Sequence, residues 1–285
     1  KIKKMMDGDD CVEFFIHETD LIRYYKDFRI KTLSDALKNG ESPKKVLKSA
    51  YLLNEQILKE YFENIGSSRI LRTLEDLICV IQDCLAQGKL EFIDVFLITR
   101  KDDHSYTHCT NTGMYCMALA NKLKMKPEAV REIGLGGMLF SIGKKNIPYD
   151  VIIKEGELSP EEFQMLRKLP SATRKILNDM KCYSDNIMKM ALEHREKFDG
   201  TGYPFQMKGE KISLYARVVS IMDVFGALTA ARPNRKALTP FTAVNEMKNN
   251  MTGHFDTRIL INFIKILADA AAAKVAPKKT DTANA

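Results

Sequence analysis

Two residues stand where an ionisable group needs a partner. Asp223 is the single charge in Val218-Val-Ser-Ile-Met-Asp-Val-Phe-Gly-Ala-Leu-Thr-Ala-Ala231. A helix apolar on all sides is buried, and an ionised carboxylate inside it is costly unless paired, hydrogen-bonded or bound to metal. The small residues Val219, Ser220, Gly226 and Ala227 share its face and leave room for a partner. That partner is a structural cation, a metal ion or a ligand. His194 ends a stripe formed by Ile187, Met190 and Ala191, which alone reads as a core histidine. Just downstream runs Asp199-Gly200-Thr201-Gly202-Tyr203-Pro204. Two glycines open backbone conformations closed to other residues, and proline fixes the exit. Such a turn can aim Asp199 and Tyr203 back towards the helix end.

The elements that must hold these groups are helical beyond about residue 40. Ser42-Pro43 is a capping residue followed by proline at the first helical position, and Val46, Ala50, Leu53 and Ile57 follow at helical spacing until Gly66. Leu71, Leu74, Ile78, Ile81 and Leu85 then form an a/d seam ending at Gly88. The seam serves either an antiparallel helix pair, or a homodimer contact or signalling connection to another module. Residues 11–15 suit a short strand and residues 19–39 one or two helices. An interruption falls at residues 88–100. Helices are then expected over 105–124, 127–141, 160–168, 171–180, 185–197, 214–231, 240–251 and 256–270. The expected organisation is a mainly α protein: an N-terminal regulatory region over 1–95, a helical bundle over 96–275 and a disordered tail over 276–285.

Composition narrows the chemistry. With 45% apolar and 28% charged residues, the chain has the balance of a globular protein. No apolar run approaches the roughly 18–20 residues of a membrane span, and no charged-then-apolar signal segment opens the chain. It begins at Lys1 rather than Met, which leaves an upstream region open. The six cysteines form no paired metal spacing and read as reduced core thiols, pointing to the cytoplasm. The net charge of +7 is scattered, without the basic stripe of a DNA binder; it suits a small anionic ligand.

The run from His194 to Pro204 resembles the signature of the HD-GYP family, bacterial hydrolases of cyclic-di-GMP. The resemblance extends over roughly residues 100–270. It takes in Tyr106-Thr107-His108, Gly137-Met-Leu-Phe-Ser-Ile-Gly-Lys144, Lys154-x-Gly156-x-Leu158-Ser159 and Lys168-Leu169-Pro170. Gly209-Glu-Lys-Ile212, Ala216-Arg217, Asp223, Arg232-Pro-Asn-Arg235 and Phe255-Asp256 continue it in family order. It implies a helical HD-type bundle, His108, His194 and Asp223 as metal ligands, and iron or manganese as the metal. It implies a cyclic-di-GMP-like ligand approached by Lys144, Tyr203, Arg232 and Arg235, and a signalling partner docking on the exposed turn.

Five positions depart from the pattern. Phe140 and Ser141 stand where the family has the namesake His-Asp, and Leu169 where it has a histidine. Arg195 replaces a second histidine after His194, and Gly226 a further aspartate. Metal-assisted phosphodiester hydrolysis uses paired cations about 3.5–4 Å apart, each needing several N/O ligands. Three surviving ligands predict that no dinuclear centre forms. A mononuclear site of two histidines and one carboxylate stays open if His108, His194 and Asp223 converge. Arg195 adds a fixed positive charge that can itself take a phosphate in bidentate fashion. The expectation is a cyclic-di-GMP signalling protein acting by binding, with an active phosphodiesterase of unusual metal set as the alternative.

Overall fold

The computed structural model describes residues 17–63, 68–102, 104–154, 156–181, 183–232 and 235–275. It is all helical apart from an isolated bridge between Arg232 and Arg235. In chain order the helices are α1 (Glu18–Arg23), α2 (Lys31–Lys38), α3 (Pro43–Glu63), α4 (Thr73–Ala86), α5 (Phe92–Ile98), α6 (Ser105–Lys122) and α7 (Pro127–Leu139). They continue with α8 (Tyr149–Ile153), α9 (Pro160–Arg167), α10 (Leu169–Met180), α11 (Asp185–Glu193), α12 (Leu214–Thr229), α13 (Pro240–Asn250) and α14 (Thr257–Val275). A π-helical stretch, Tyr24–Ile30, joins α1 to α2, and short 3-10 turns cover Ser68–Arg72, Ile142–Asn146 and Gly209–Lys211.

Helix starts follow their capping chemistry. Ser159, Ser184, Ser213 and Thr239 each accept an amide hydrogen bond from three residues on. Pro160 and Pro240 occupy first helical positions, where the missing N–H costs nothing. Ser159 and Glu162 form a reciprocal capping box. The first strand expectation, residues 11–15, Gly66 and the tail lie outside the described residues, as do Cys11 and Cys182. Cys84, Cys109 and Cys116 are buried thiols, whereas Cys79 is exposed.

Helix α6 lies at the centre, packed by α3, α5, α7 and α12. Gly113 and Gly137 let α6 and α7 touch backbone to backbone: a Cβ on Gly137 would stand 2.9 Å from Gly113 Cα. The expected interruption at 88–100 contains α5 instead. Phe92 of α5 meets Phe263 of α14 at 4.9 Å between ring centroids, and Phe225 of α12 meets Phe263 at 5.0 Å and Tyr115 of α6 at 5.5 Å. Each such buried ring contributes about 1.5–3 kcal/mol relative to exposure, so α5 is held by packing rather than propensity. The seam residues Leu71, Leu74, Ile78, Ile81 and Leu85 are buried within the chain's own core, with α3 and α7 packed on α4. They are therefore not available to the homodimer contact the heptad pattern allowed.

Polar groups also cross from α3 to α6. Tyr51 Oη donates to Asn111 Oδ1 at 3.1 Å and accepts the Arg100 amide at 2.9 Å. Glu55 accepts from Thr107 Oγ1 at 2.9 Å and pairs with Arg100 at 3.3 Å. One hydrophobic cluster runs from Tyr25 to Leu267, so the segment before residue 96 rests on the same core that carries the site.

Candidate functional site

Asp223 is brought by α12 to the floor of a cleft of about 320 Å³. His108, Lys144, Arg195, Tyr203 and Arg232 join it in the lining. His108 lies on the first turns of α6, Arg195 just past α11, and Lys144 on the 3-10 turn after α7. Five of the expected site residues thus converge with Asp223.

His108 Nε2 and Asp223 Oδ1 are 2.7 Å apart, and Arg195 Nη2 stands 3.5 Å from Asp223 Oδ2. Burial alone would raise the Asp223 pKa. The Arg195 guanidinium, the His108 hydrogen bond and the Lys144 charge outweigh it and hold Asp223 well below the carboxylate range. Burial and Lys144 push His108 down, so it is neutral and donates its Nε2 proton to Asp223. Burial likewise lowers Lys144, and Asp223 raises Arg195. The carboxylate therefore stays ionised between a neutral donor and a fixed cation.

His194 stands apart. Its Nδ1 lies 3.1 Å from both the Met190 and Ala191 carbonyls, which makes Nδ1 the protonated nitrogen. Its Nε2 is buried without a hydrogen-bond partner. The Phe140 ring meets the imidazole edge-on at 4.8 Å and reaches His108 on its other side at 5.8 Å. Phe140, fully buried, is in ring contact with both histidines. Burial and the Arg195 charge push His194 down to about 3.

This donor set does not fit a metal pair. His108 is committed to Asp223, Asp223 is already paired with a guanidinium, and the His194 ring packs against Phe140 rather than lining the cleft. Among the described residues no group of three or more His, Cys, Asp or Glu side chains is placed to hold an ion. The convergence of His108, His194 and Asp223 that a mononuclear site requires is not what the structure shows.

Two further expectations are relocated. Arg235 leaves the cleft lining: its Nη2 donates to the Ala227 carbonyl at 2.5 Å, satisfying a backbone acceptor near the C-terminus of α12. Asp199 turns into its own loop, where Oδ1 accepts from Thr201 N and Oγ1 at 2.8 and 2.7 Å. That is the habitual local bond of an Asp in a turn. Gly200 adopts φ +90°, and the Tyr203–Pro204 bond is cis. Gly202 is packed so tightly that a Cβ would collide with the backbone of Glu196 and Lys197.

Sequence reasoning missed the residue that organises this turn. Glu196 is 3% exposed, and its two oxygens accept the Phe205 and Met207 amides at 2.6 and 3.0 Å. Its signal was a lone carboxylate between Arg195 and Lys197 in a loop with amides to satisfy. The turn is also tied to the segment before α14, where Phe198 and Asp199 donate to the His254 and Gly253 carbonyls at 2.9 Å. Arg217 and Asp256, quoted separately from the sequence, form an ion pair at 2.5 Å. Leu166 and Asp102 also line the cleft unforeseen.

A family model described as HD domain matches residues 96–259. The chain is 33% identical over 190 residues to a cyclic di-GMP phosphodiesterase of Pseudomonas aeruginosa, covering 67% of this chain and 46% of that one. It is 34% identical over 141 residues to a cyclic di-GMP phosphodiesterase response regulator of Xanthomonas campestris, covering 49% and 37%. The chain thus spans less than half the length of these curated relatives. Among solved structures, an HDG"Y"P protein from Bdellovibrio bacteriovorus superposes with a TM-score of 0.69 at 18% identity, over 88% of this chain and 80% of that one. That likeness shows the fold. Among the described residues no helix is long and apolar enough to cross a membrane.

Proposed function

The chain belongs to the HD-domain family, in its HD-GYP branch, and from that premise we propose that it binds a cyclic dinucleotide of the cyclic-di-GMP class through fixed cations. The family implies metal dependence. Here the ligand phosphate is met instead by Arg195, with Lys144 and Arg232 beside it in the cleft. The observation that carries this reading is the Arg195–Asp223 pair. A guanidinium takes the place at the carboxylate where a metal would otherwise supply the charge. Arg195 Nε is buried without an acceptor, and an N–H left so is costly unless an oxygen arrives. Guanidinium is also the side-chain cation best matched to phosphate geometry.

Asp223 holds Arg195 in place, and His108 holds Asp223. Lys144, lowered by burial, gains charge stabilisation when an anion enters. Tyr203 closes one wall. No residue among these activates water through a metal pair, so the chemistry supported is recognition.

Titration calorimetry with cyclic-di-GMP in EDTA tests the reading. Binding should persist in chelator and fall at least tenfold in Arg195→Met. Absence of binding, or turnover with iron or manganese that EDTA abolishes, overturns it; the second result would establish a phosphodiesterase with an unusual metal set. A protein partner on the turn is favoured by one observation: Phe205, following Pro204, is 57% exposed on a loop held rigid by Glu196. Phe205→Asp should then abolish capture of a signalling partner while leaving dinucleotide affinity within twofold.

A further inference from the structure

The cleft continues outward into an aromatic rim that the phosphate contacts leave unused. Helix α9 presents Phe163, Leu166 and Arg167 at the three- and four-residue spacing that puts side chains on one face. Leu166 and Tyr203 both line the cleft. Phe163 stands beside Tyr203 with ring centroids 6.4 Å apart and planes at 69°. The Arg167 guanidinium lies 5.8 Å from the centre of each ring. Among the described residues no carboxylate lies in ion-pair contact with Arg167.

We propose that Phe163, Arg167 and Tyr203 form a stacking site for a nucleobase at the mouth of the cleft. This rests on the cyclic-dinucleotide reading and adds the groups that recognise the base. Two arguments carry it. The first is room. Small-molecule sites run from about 300 to 1,000 Å³, and this cleft of about 320 Å³ is at the small end. A cyclic dinucleotide carries two bases on one ring built of two riboses and two phosphates. With a phosphate at Arg195 and Lys144, part of the ligand has to lie at the rim, next to Tyr203.

The second is chemistry. Phe163 is 44% exposed, an apolar face left in water beside a guanidinium and a second ring. Aromatic faces and arginine planes are the surfaces on which unpaired bases stack. The exposed Phe163 ring offers the stacking face, with the steeply inclined Tyr203 ring and the Arg167 guanidinium beside it. Nothing in the core depends on Phe163, so its truncation leaves the fold intact.

The test uses the whole chain and cyclic-di-GMP as the probe. Phe163→Ala should weaken calorimetric affinity by roughly 5- to 150-fold, the range for losing one stacked base, with the thermal unfolding midpoint held. Arg167→Ala should weaken it in the same sense. The chain contains no tryptophan, so Phe163→Trp introduces a single indole at the rim. It should retain affinity, and its emission should be quenched along the calorimetric isotherm. Unchanged affinity in both alanine variants, or indole emission indifferent to saturating ligand, overturns the stacking site alone. Silence of the wild-type chain towards cyclic-di-GMP overturns the cleft assignment and the platform together.

Discussion

The neutral state of His194 makes the stability of the whole chain depend on pH in a calculable way. Its ring is 2% exposed. Its Nδ1 proton is shared by two carbonyls, and Phe140 meets the ring edge-on. Protonating Nε2 would therefore create a buried cation whose new N–H has no acceptor. Burial and Arg195 together hold its pKa at about 3, against 6.5 for an ordinary histidine. The unfolded chain binds the proton and the folded chain refuses it, so stability is full above pH 6.5 and falls as pH drops towards 3. Between pH 7 and pH 4 this one group removes about 3 kcal/mol, at 1.36 kcal/mol per pH unit below 6.5.

His108 and His254 are also lowered by burial, and they act in the same direction. The His194 share is isolated by difference. Urea unfolding of wild type and His194→Leu at pH 7, 5.5 and 4 should give curves that converge as pH falls, the variant losing about 3 kcal/mol less. Parallel curves, within about 0.5 kcal/mol across that range, would refute the account; so would an NMR titration placing the His194 ring near 6.5. Either result would mean that water or a counter-charge reaches Nε2 and that Phe140 does not seal it.

Phe140→Ala should cost about 3 kcal/mol, the low end for a buried Phe truncation, because His194 Nε2 and Ser141 Oγ can hydrate the void. The same variant should raise the His194 pKa from about 3, read by histidine NMR. Gly226→Ala should stabilise by about 0.5–1 kcal/mol, since a Cβ there finds His108 and Thr112 atoms no closer than 3.7 Å. Gly202→Ala should instead destabilise by about 1–3 kcal/mol through backbone collision; thermal unfolding separates the two. Tyr51→Phe strands the Arg100 amide and Asn111 Oδ1 and should cost about 1–3 kcal/mol in denaturant melts.

The bundle was legible because helix signals are local. Ser42 before Pro43 announced a helix that the structure starts at Pro43. Helix α5 was hidden because its evidence is tertiary: Phe92, Val95 and Phe96 read as a short apolar run until Phe225 and Phe263 surround them. The site was half legible. A buried carboxylate predicts a partner, and Asp223 has one, but no spacing rule distinguishes a cation on the next helix from a metal. Arg235 and Asp199 carried the right chemistry, yet nearby backbone groups claimed them first. Glu196, by contrast, reveals its task only when the amides it satisfies are seen folded around it.

Those backbone bonds also account for how the Gly-Tyr-Pro turn is held independently of the cleft floor. The turn is fixed by Glu196, by the carbonyls of Gly253 and His254, and by the close packing of Gly202. None of these contacts involves His108, Phe140, Ser141 or Asp223, so the turn keeps its shape whatever occupies the cleft floor. What the floor requires is a charge to answer Asp223. Arg195 lies two residues past the end of α11, and its carbonyl accepts the Tyr203 amide at 3.2 Å. Its guanidinium meets Asp223 while its backbone holds the signature tyrosine. The same residue thus compensates the buried carboxylate through its side chain and holds Tyr203 at the cleft wall through its backbone.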